Sequence, residues 1–467
     1  MSLINISHMT FCYDGNSENV FTDVTFQLDT SWKIGFCGRN GRGKTTFLKL
    51  LMDEYEYSGK ISAGVSFDYF PYPVANKAEM TLTILGETAP SVAPWEIQKE
   101  FSLMEIDDDV LYRPFETLSN GEQTKVLLVG LFLRGYNFLL IDEPTNHLDS
   151  YGREIVAAYL NKKSGFILVS HDRAFLDSCT DYTLSINKAN IEVVAGSFSI
   201  WWEQKQRQDA FEQSQNKRLS GEIDRLKIAA SQTASWSDKV ERSKTGNGPV
   251  DRGYIGHKSA KMMKRAKATE ARRQSAALEK SALLKNIEAV ESLKLSPLKY
   301  RTDTLMVADK LAIAYGEKSV CQNISFTVHQ GDRIALIGGN GSGKSSILRA
   351  ITGQSTQFAG DLHIGSGVKT SYVPQDVSFL KGNLRDYAKN LSIDITLLFT
   401  ILRKLDFSRE HLGVDMATFS EGQKKKILLA GSLCEQAHLY IWDEPLNYID
   451  VYSRMQVEEL ILTYQPT

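Results

Sequence analysis

One glycine-rich stretch occurs twice in this chain, and that duplication constrains the fold more than any other feature. Gly38-Arg39-Asn40-Gly41-Arg42-Gly43-Lys44-Thr45-Thr46 returns 300 positions later as Gly338-Gly339-Asn340-Gly341-Ser342-Gly343-Lys344-Ser345-Ser346. Other landmarks keep an offset of 301: Ser119 and Gly121 with Ser420 and Gly422, Asp142-Glu143-Pro144 with Asp443-Glu444-Pro445, and Asp149 with Asp450. A period this long is a domain duplication and not a solenoid repeat. Two homologous α/β domains are therefore expected, at about residues 1–200 and 301–467, with a segment of other character at 201–300.

Each glycine-rich stretch follows an apolar run, Lys33–Cys37 or Arg333–Ile337, and precedes a helical pattern at 47–51 or 347–351. Strand, loop and helix in that order form the context of a phosphate-binding loop. Gly38, Asn40, Gly41 and Gly43, like Gly338, Asn340, Gly341 and Gly343, leave the backbone N–H groups able to surround phosphate oxygens at a helix N-terminus. Lys44 and Lys344 would neutralise the β- and γ-phosphates, and Thr45 and Ser345 can ligate Mg²⁺. The apolar strands Phe138–Ile141 and Leu439–Trp442 each end in Asp-Glu. Two carboxylates closing a buried strand are costly unless they meet a cation or activate water. Asp142 and Asp443 are thus candidate metal-shell residues, and Glu143 and Glu444 candidate catalytic groups.

The order of these motifs resembles an ATP-binding-cassette ATPase over both halves, with signature sequences Leu118-Ser119-Asn120-Gly121-Glu122-Gln123 and Phe419-Ser420-Glu421-Gly422-Gln423. The resemblance implies a fold of two tandem P-loop domains facing each other head to tail, with ATP and Mg²⁺ as ligands. Site one would join Lys44, Thr45, Thr46, Asp142 and Glu143 to Ser420 and Gly422 of the other half. Site two would join Lys344, Ser345, Ser346, Asp443 and Glu444 to Ser119 and Gly121. It also implies a switch histidine at His171 and adenine-stacking aromatics at Tyr13 and Tyr315; core packing is the alternative for the two tyrosines. Gln375 falls where the family places a glutamine that reaches Mg²⁺ and the attacking water.

Two departures from that pattern carry expectations. Ungapped alignment of 64–72 on 367–375 puts Tyr72 opposite Gln375, and a phenol lacks the amide geometry, so site one is expected to hydrolyse more slowly than site two. The offset also puts a second switch histidine near position 472, beyond Thr467, so the second domain is expected to be incomplete at its C-terminal end.

The intervening segment is charged differently from the rest. Residues 203–297 hold 20 Lys and Arg against 12 Asp and Glu, so the near-neutral total of −2 conceals +8 here and −10 elsewhere. Leu219, Ile223 and Leu226, then Leu283, Ile287 and Val290, recur as a narrow helical seam. Glycines and a proline around 246–256 interrupt it. A long α-helical hairpin is expected, with arms of about 40 residues reaching on the order of 60 Å. Net charge reaches +8 between Lys239 and Arg273 alone, which suits RNA phosphates. Lys239, Arg242, Lys244, Arg252, Lys258, Lys261, Lys264 and Arg265 are the candidate RNA contacts, with Tyr254 and His257 available for stacking. A solvated spacer is the alternative.

No run approaches the roughly 18 apolar residues of a membrane span, and the five cysteines show no CxxC spacing. A cytoplasmic protein with no membrane subunit is expected. Tandem cassettes with a long helical linker resemble the ABC-F branch. The stretches 26–43, 236–241 and 253–265 look like its Lsa-type antibiotic-resistance group. Membership implies a monomer with paired cassettes that acts on the 70S ribosome, with 23S rRNA and P-site tRNA as partners and no DNA. It also implies that the linker enters through the E site towards the peptidyl-transferase region and protects against lincosamides, pleuromutilins and streptogramin A. A housekeeping ABC-F translation factor and a transporter ATPase are the alternatives.

Overall fold

The computed structural model describes residues 2–15, 19–135, 137–187, 191–242, 292–316, 318–354, 357–409 and 411–467. They divide into two units: Met1–Trp201 with Val290–Thr467, which carries both cassettes, and Trp202–Ala289.

The first cassette begins with β1 (Leu3–Phe11), β2 (Phe21–Asp29), β3 (Lys33–Gly38), α1 (Lys44–Leu51), β4 (Ser58–Ala63) and β5 (Phe67–Phe70). Helices α2 (Thr81–Thr88) and α3 (Pro94–Leu103) lead to α4 (Asn120–Arg134). The chain then alternates through β6 (Phe138–Asp142), α5 (Ser150–Asn161), β7 (Phe166–Val169), α6 (Arg173–Cys179), β8 (Tyr182–Ile186) and β9 (Ile191–Ala195). Strands β2-β1-β4 form an antiparallel sheet, and β5-β6-β7-β3-β8-β9 form a sheet that is parallel up to β8. β3 lies in its interior between β7 and β8, so its side chains face helices on one side and the antiparallel sheet on the other. Its residues Ile34 and Phe36 are 0% exposed, packed with Phe47, Leu140 and Val169. A continuous apolar run is what a strand covered on both faces requires.

The second cassette repeats the plan with β10 (Thr304–Tyr315), β11 (Lys318–His329), α8 (Lys344–Ile351), β12 (Phe358–Ile364), β13 (Thr370–Val373), α9 (Leu384–Asn390), α10 (Ile395–Lys404), α11 (Glu421–Cys434), β14 (Leu439–Trp442) and α12 (Val451–Tyr464). Sheet β11-β10-β12 matches β2-β1-β4, and β13 pairs with β14 as β5 pairs with β6. The run at 333–337 departs from the sequence expectation of a strand: it forms no regular element and pairs with no strand among the described residues. The physical reason lies in its neighbours. Its counterpart β3 is held by β7 and β8, and among the described residues nothing takes those places. Among the described residues Ile334 is 51% and Ile337 84% exposed.

Between the cassettes α7 (Phe198–Arg242) runs for 45 residues. Its first turns carry the i,i+4 ion pairs Arg207–Glu203 at 2.6 Å and Lys205–Asp209 at 3.2 Å, which favour helix on an exposed surface. Ile223 of the expected seam is buried. The rest of the expected hairpin, from residue 243 to 291, lies outside the described residues. No described helix is long and apolar enough to cross a membrane.

Ile34→Ala is expected to destabilise the protein by about 3 kcal/mol, the cost of a cavity in a closed core. Urea unfolding checks this, and a cost below about 0.5 kcal/mol would show that Ile34 does not sit in a closed core.

Candidate nucleotide sites between the cassettes

Each phosphate loop is closed by a glycine that no other residue replaces without strain. Gly43 and Gly343 cap α1 and α8 with φ of 90° and 95°. A Cβ at Gly43 would stand 2.7 Å from Val20, and one at Gly343 2.6 Å from Val320. Each loop therefore curls tightly enough to aim its N–H groups at one point, and the lysine folds into that curl. Lys44 Nζ donates to the carbonyls of Gly38 at 2.9 Å and Arg39 at 3.3 Å and to Asn40 Oδ1 at 3.4 Å. Lys344 Nζ donates to Gly338 O at 2.8 Å and Gly339 O at 2.9 Å.

The opposite cassette completes each pocket. In site one a cavity of about 520 Å³ is lined by Asn40, Gly41, Gly43, Lys44, Thr45, Thr46, Tyr13, Asp142, Glu143 and His171, and across it by Ser420, Gly422 and Tyr448. Site two, about 1080 Å³, gathers Tyr315, Gly338, Asn340, Gly341, Gly343, Lys344, Ser345, Ser346, Gln375 and Glu444, with Ser119, His147 and Asp149 opposite. The pairing is symmetrical in its contacts. Asn40 Nδ2 donates to the carbonyl of Tyr448 at 3.1 Å, and Asn340 Nδ2 to that of His147 at 3.2 Å. Ser119 and Ser420 cap α4 and α11 in capping boxes with Glu122 and its counterpart Gln423, so each signature helix presents its positive N-terminus to the pocket.

Around the expected metal position, Thr45 Oγ1 donates to Asp142 Oδ2 at 2.8 Å and Tyr69 O–H donates to the same oxygen at 2.9 Å. Asp443 is buried, and its Oδ2 has no hydrogen-bond partner among the described residues. In site one a hydroxyl and a carboxylate opening on the phosphate loop fit an ion such as Mg²⁺ that takes few protein ligands and completes its shell with phosphates and water; in site two Ser345 lines the cavity and Asp443 does not. Gln375 Nε2 donates to Glu444 Oε2 at 2.7 Å. Tyr13 and Tyr315 place their hydroxyls on Thr46 at 2.6 Å and Ser346 at 3.1 Å and leave their rings partly exposed beside the loops.

Glu143 and Glu444 both adopt positive φ, 51° and 47°, a region costly for residues other than glycine and concentrated at functional sites. Glu143 is enclosed by its surroundings: burial, partly offset by the Lys44 charge, raises its carboxyl to about 8. His171 Nε2 lies 3.3 Å from Glu143 Oε1, within ion-pair distance but without hydrogen-bond alignment. Burial, then the Lys44 charge, holds the imidazole well below its usual range.

Several placements go beyond the sequence reading. Tyr72 turns out of site one: its hydroxyl accepts from Thr88 Oγ1 at 3.3 Å and the Arg134 guanidinium covers its ring at 5.5 Å. Gly38 stands behind its pocket and contributes its carbonyl. Gly121 packs near the His147 carbonyl outside the lining of site two. Lys239 and Arg242 lie on α7, with side chains outside the description, and Lys244, Arg252, Tyr254, His257, Lys258, Lys261, Lys264 and Arg265 lie outside the described residues. Sequence reasoning missed the ion pairs across the cassettes, Arg173–Glu458 at 2.8 Å and Arg42–Asp406 at 3.5 Å, and the Arg39 guanidinium over the Tyr452 ring at 5.2 Å. Arg42, placed between two loop glycines where the second copy has Ser342, was the available signal.

The Glu143 carboxyl has a consequence for stability in the absence of nucleotide. Folded, it keeps its proton up to about pH 8, whereas the ordinary value is 4.5. The folded state therefore binds more protons between those values, and stability falls as pH rises through the window. Glu143→Gln is expected to leave the thermal midpoint unchanged near pH 4.5 and to raise it by several degrees at pH 8. Scanning calorimetry in EDTA without nucleotide reads the difference, and a pH-independent offset would contradict the buried carboxyl.

Comparison with known proteins agrees with this geometry. The family described as ABC transporter matches residues 21–146 and 321–447. The chain is 27% identical to the ribosome protection protein VmlR of Bacillus subtilis over 485 residues, covering all of this chain and 82% of that protein. It is 26% identical to the ATP-binding protein Uup of Buchnera aphidicola, covering all of this chain and 77% of the relative. Among solved structures, the archaeal ribosome recycling factor aABCE1, in complex with ribosomal stalk protein aP1, shares the fold with a TM-score of 0.62 at 17% identity, over 98% of this chain and 82% of that one. Two matched nucleotide-binding domains and these relatives give the conclusion that the chain belongs to the ATP-binding-cassette family of ATPases, in its ABC-F branch.

Proposed function

We propose that this ATPase is a nucleotide-gated ribosome clamp that protects the peptidyl-transferase region from antibiotics. The observation that carries the reading is the head-to-tail pairing of two ATP sites in one chain whose inter-cassette segment concentrates the basic charge, +8 against −10 elsewhere. Its relative VmlR is named a ribosome protection protein, which supports the choice of client. In this reading the protein works in the cytoplasm as a monomer. Its linker, with Lys239, Arg242, Lys244, Arg252, Tyr254, His257, Lys258, Lys261, Lys264 and Arg265, enters through the E site, meets 23S rRNA and P-site tRNA, and displaces lincosamides, pleuromutilins and streptogramin A.

Two ATP molecules would fill the pockets, their γ-phosphates meeting the opposite signature N-termini, so that nucleotide holds the cassettes closed. Thr45 with Asp142, and Ser345 with Asp443 and Gln375, would hold Mg²⁺, which supplies neutralisation of charge on the phosphates. Glu143 and Glu444 would orient the attacking water, with His171 beside the γ-phosphate in site one. Hydrolysis then removes the γ-phosphate bridge, and the cassettes open and release the ribosome. Because Tyr72 points away from site one, that site lacks the amide that Gln375 brings to site two, so site one would turn over more slowly.

The sites are linked by a continuous set of contacts. Asn340 of site two donates to the His147 carbonyl; Arg153 Nε donates to the adjacent Leu148 carbonyl at 3.1 Å, and Arg153 Nη1 to Asp172 Oδ2 at 3.0 Å. Asp172 follows His171, which sits against Glu143. Occupancy of site two would thereby bias the switch histidine of site one.

Three outcomes are expected. The Glu143→Gln, Glu444→Gln protein should stay on ribosomes with ATP through a sucrose cushion, and rapid dissociation would refute the clamp. Arg153→Met should bring the Hill coefficient for ATP turnover close to 1, whereas Arg153→Lys retains part of the cooperativity. Expression in a susceptible Gram-positive host should reduce sensitivity to lincomycin, tiamulin and virginiamycin M; no change in any of them would favour a housekeeping translation factor.

A further inference from the structure

The two cassettes are alike at the nucleotide sites and unlike on the helical arms that precede their signatures. Residues 73–118 carry 3 basic and 9 acidic side chains, whereas 376–419 carry 6 of each. The described acids of the second arm are exposed, but each is engaged by a neighbouring group. Asp394 and Asp415 cap backbone N–H groups of Thr396 and Ala417 at 2.8 Å, Asp376 accepts from Ser378 N at 2.8 Å, and Asp386 from Asn383 Nδ2 at 2.7 Å. Asp406 faces Arg39 and Arg42 of the other cassette. The arginines are turned outward. Arg385 of α9, Arg403 of α10 and Arg409 are exposed and ring one groove of about 580 Å³, with Ile395, Phe399 and Leu412 between them. Phe399 packs by one side against the core cluster of Leu398, Leu402 and Phe419, which fixes the floor on which the guanidinium groups stand. No carboxylate among the described residues pairs with any of the three arginines.

We propose that this groove is an RNA-binding surface, in which Arg385, Arg403 and Arg409 grip successive phosphates of one strand and Phe399 lies against a sugar or base. A guanidinium offers a planar fork that matches a phosphate in two hydrogen bonds and is weakly hydrated, which distinguishes the trio from a patch of lysines. The apolar floor between the forks suits the mixed character of a nucleic-acid backbone, charged at the phosphates and apolar along the ribose face. The source of that RNA, the ribosome, rests on the reading of the preceding subsection; the groove itself does not. The second cassette would thus hold a point of attachment independent of the linker, and the acidic first arm would stay clear of RNA.

The experiment compares the full chain with Arg385→Gln, Arg403→Gln, Arg409→Gln, measuring affinity for purified 70S ribosomes, for an RNA duplex of about 20 base pairs and for polyglutamate between 50 and about 300 mM KCl. ATP turnover within twofold of the parent verifies folding, and the single Arg403→Gln protein stands in if the triple variant aggregates. Loss of three phosphate contacts should lower the salt slope of log affinity for the RNA duplex by about 2 to 3, and a single loss by about 1. At 150 mM KCl the triple variant should bind RNA at least tenfold more weakly. An unchanged slope on RNA overturns the proposal, as does a loss confined to polyglutamate, which would assign the groove to an acidic protein. An arginine-dependent slope on the duplex without parent binding to ribosomes sustains the groove and removes the ribosome reading instead.

Discussion

The arrangement of both sites depends on how closely a signature glycine allows its helix to approach the loop that follows the strand-end glutamate. At Gly422 an added Cβ would stand 2.4 Å from the Tyr448 carbonyl and 3.3 Å from Asn40 Nδ2. That carbonyl is the acceptor through which the first phosphate loop grips the second cassette. A side chain at this position would push the loop, and with it Asn40, off the opposite cassette. The corresponding contact at Gly121 is looser, 3.5 Å to the His147 carbonyl. Site one is also the narrower cavity, with about half the volume of site two, whose lining includes the exposed Leu336 and Ile337.

Enclosure in turn sets the electrostatics. In site one Lys44, Glu143 and His171 share one low-dielectric space, and burial is the first cause of displacement for each: the lysine and the imidazole go down, the carboxyl up. A polyanionic ligand entering this space would favour the charged forms of the lysine and the imidazole and disfavour the carboxylate, on which only its cation would act in the other direction. Site two is more open, and Glu444 accepts hydrogen bonds from Gln375 and Asn447. The duplicated motifs therefore sit in two different dielectric settings, a difference that identical sequence spacing does not express.

This marks what was legible in the sequence and what was not. The phosphate loops, strand-end acid pairs and signature serines follow local rules of backbone freedom and capping, so the 300- and 301-residue offsets placed them correctly on loops, strand ends and helix N-termini. The cross-cassette assembly of Ser420 and Gly422 with Lys44 came from family resemblance, because no local pattern encodes which surface faces which. The run 333–337 read as a strand because its residues match β3 in polarity; strandness, however, belongs to a pair, and its partners are not among the described residues. The pairs Arg173–Glu458 and Arg42–Asp406 were invisible for the same reason, being contacts between surfaces remote in sequence.

Tyr72 shows how packing of one element alters chemistry in another. A small residue in each signature helix, Gly130 or Gly431, opens a notch that a phenol fills, its hydroxyl standing 2.6 Å from where a Cβ would lie. The second cassette fills the notch with Tyr387 from α9, which leaves the position after Pro374 free to be Gln375 and to reach Glu444. The first cassette fills it with Tyr72, the residue after Pro71, and so the same chain position is withdrawn from the nucleotide pocket. The missing amide of site one is therefore a consequence of which element packs the notch. Restoring glutamine at that position would vacate the notch beside Gly130 and leave a cavity against Leu85 and Thr88, so packing and chemistry at Tyr72 are bound to change together.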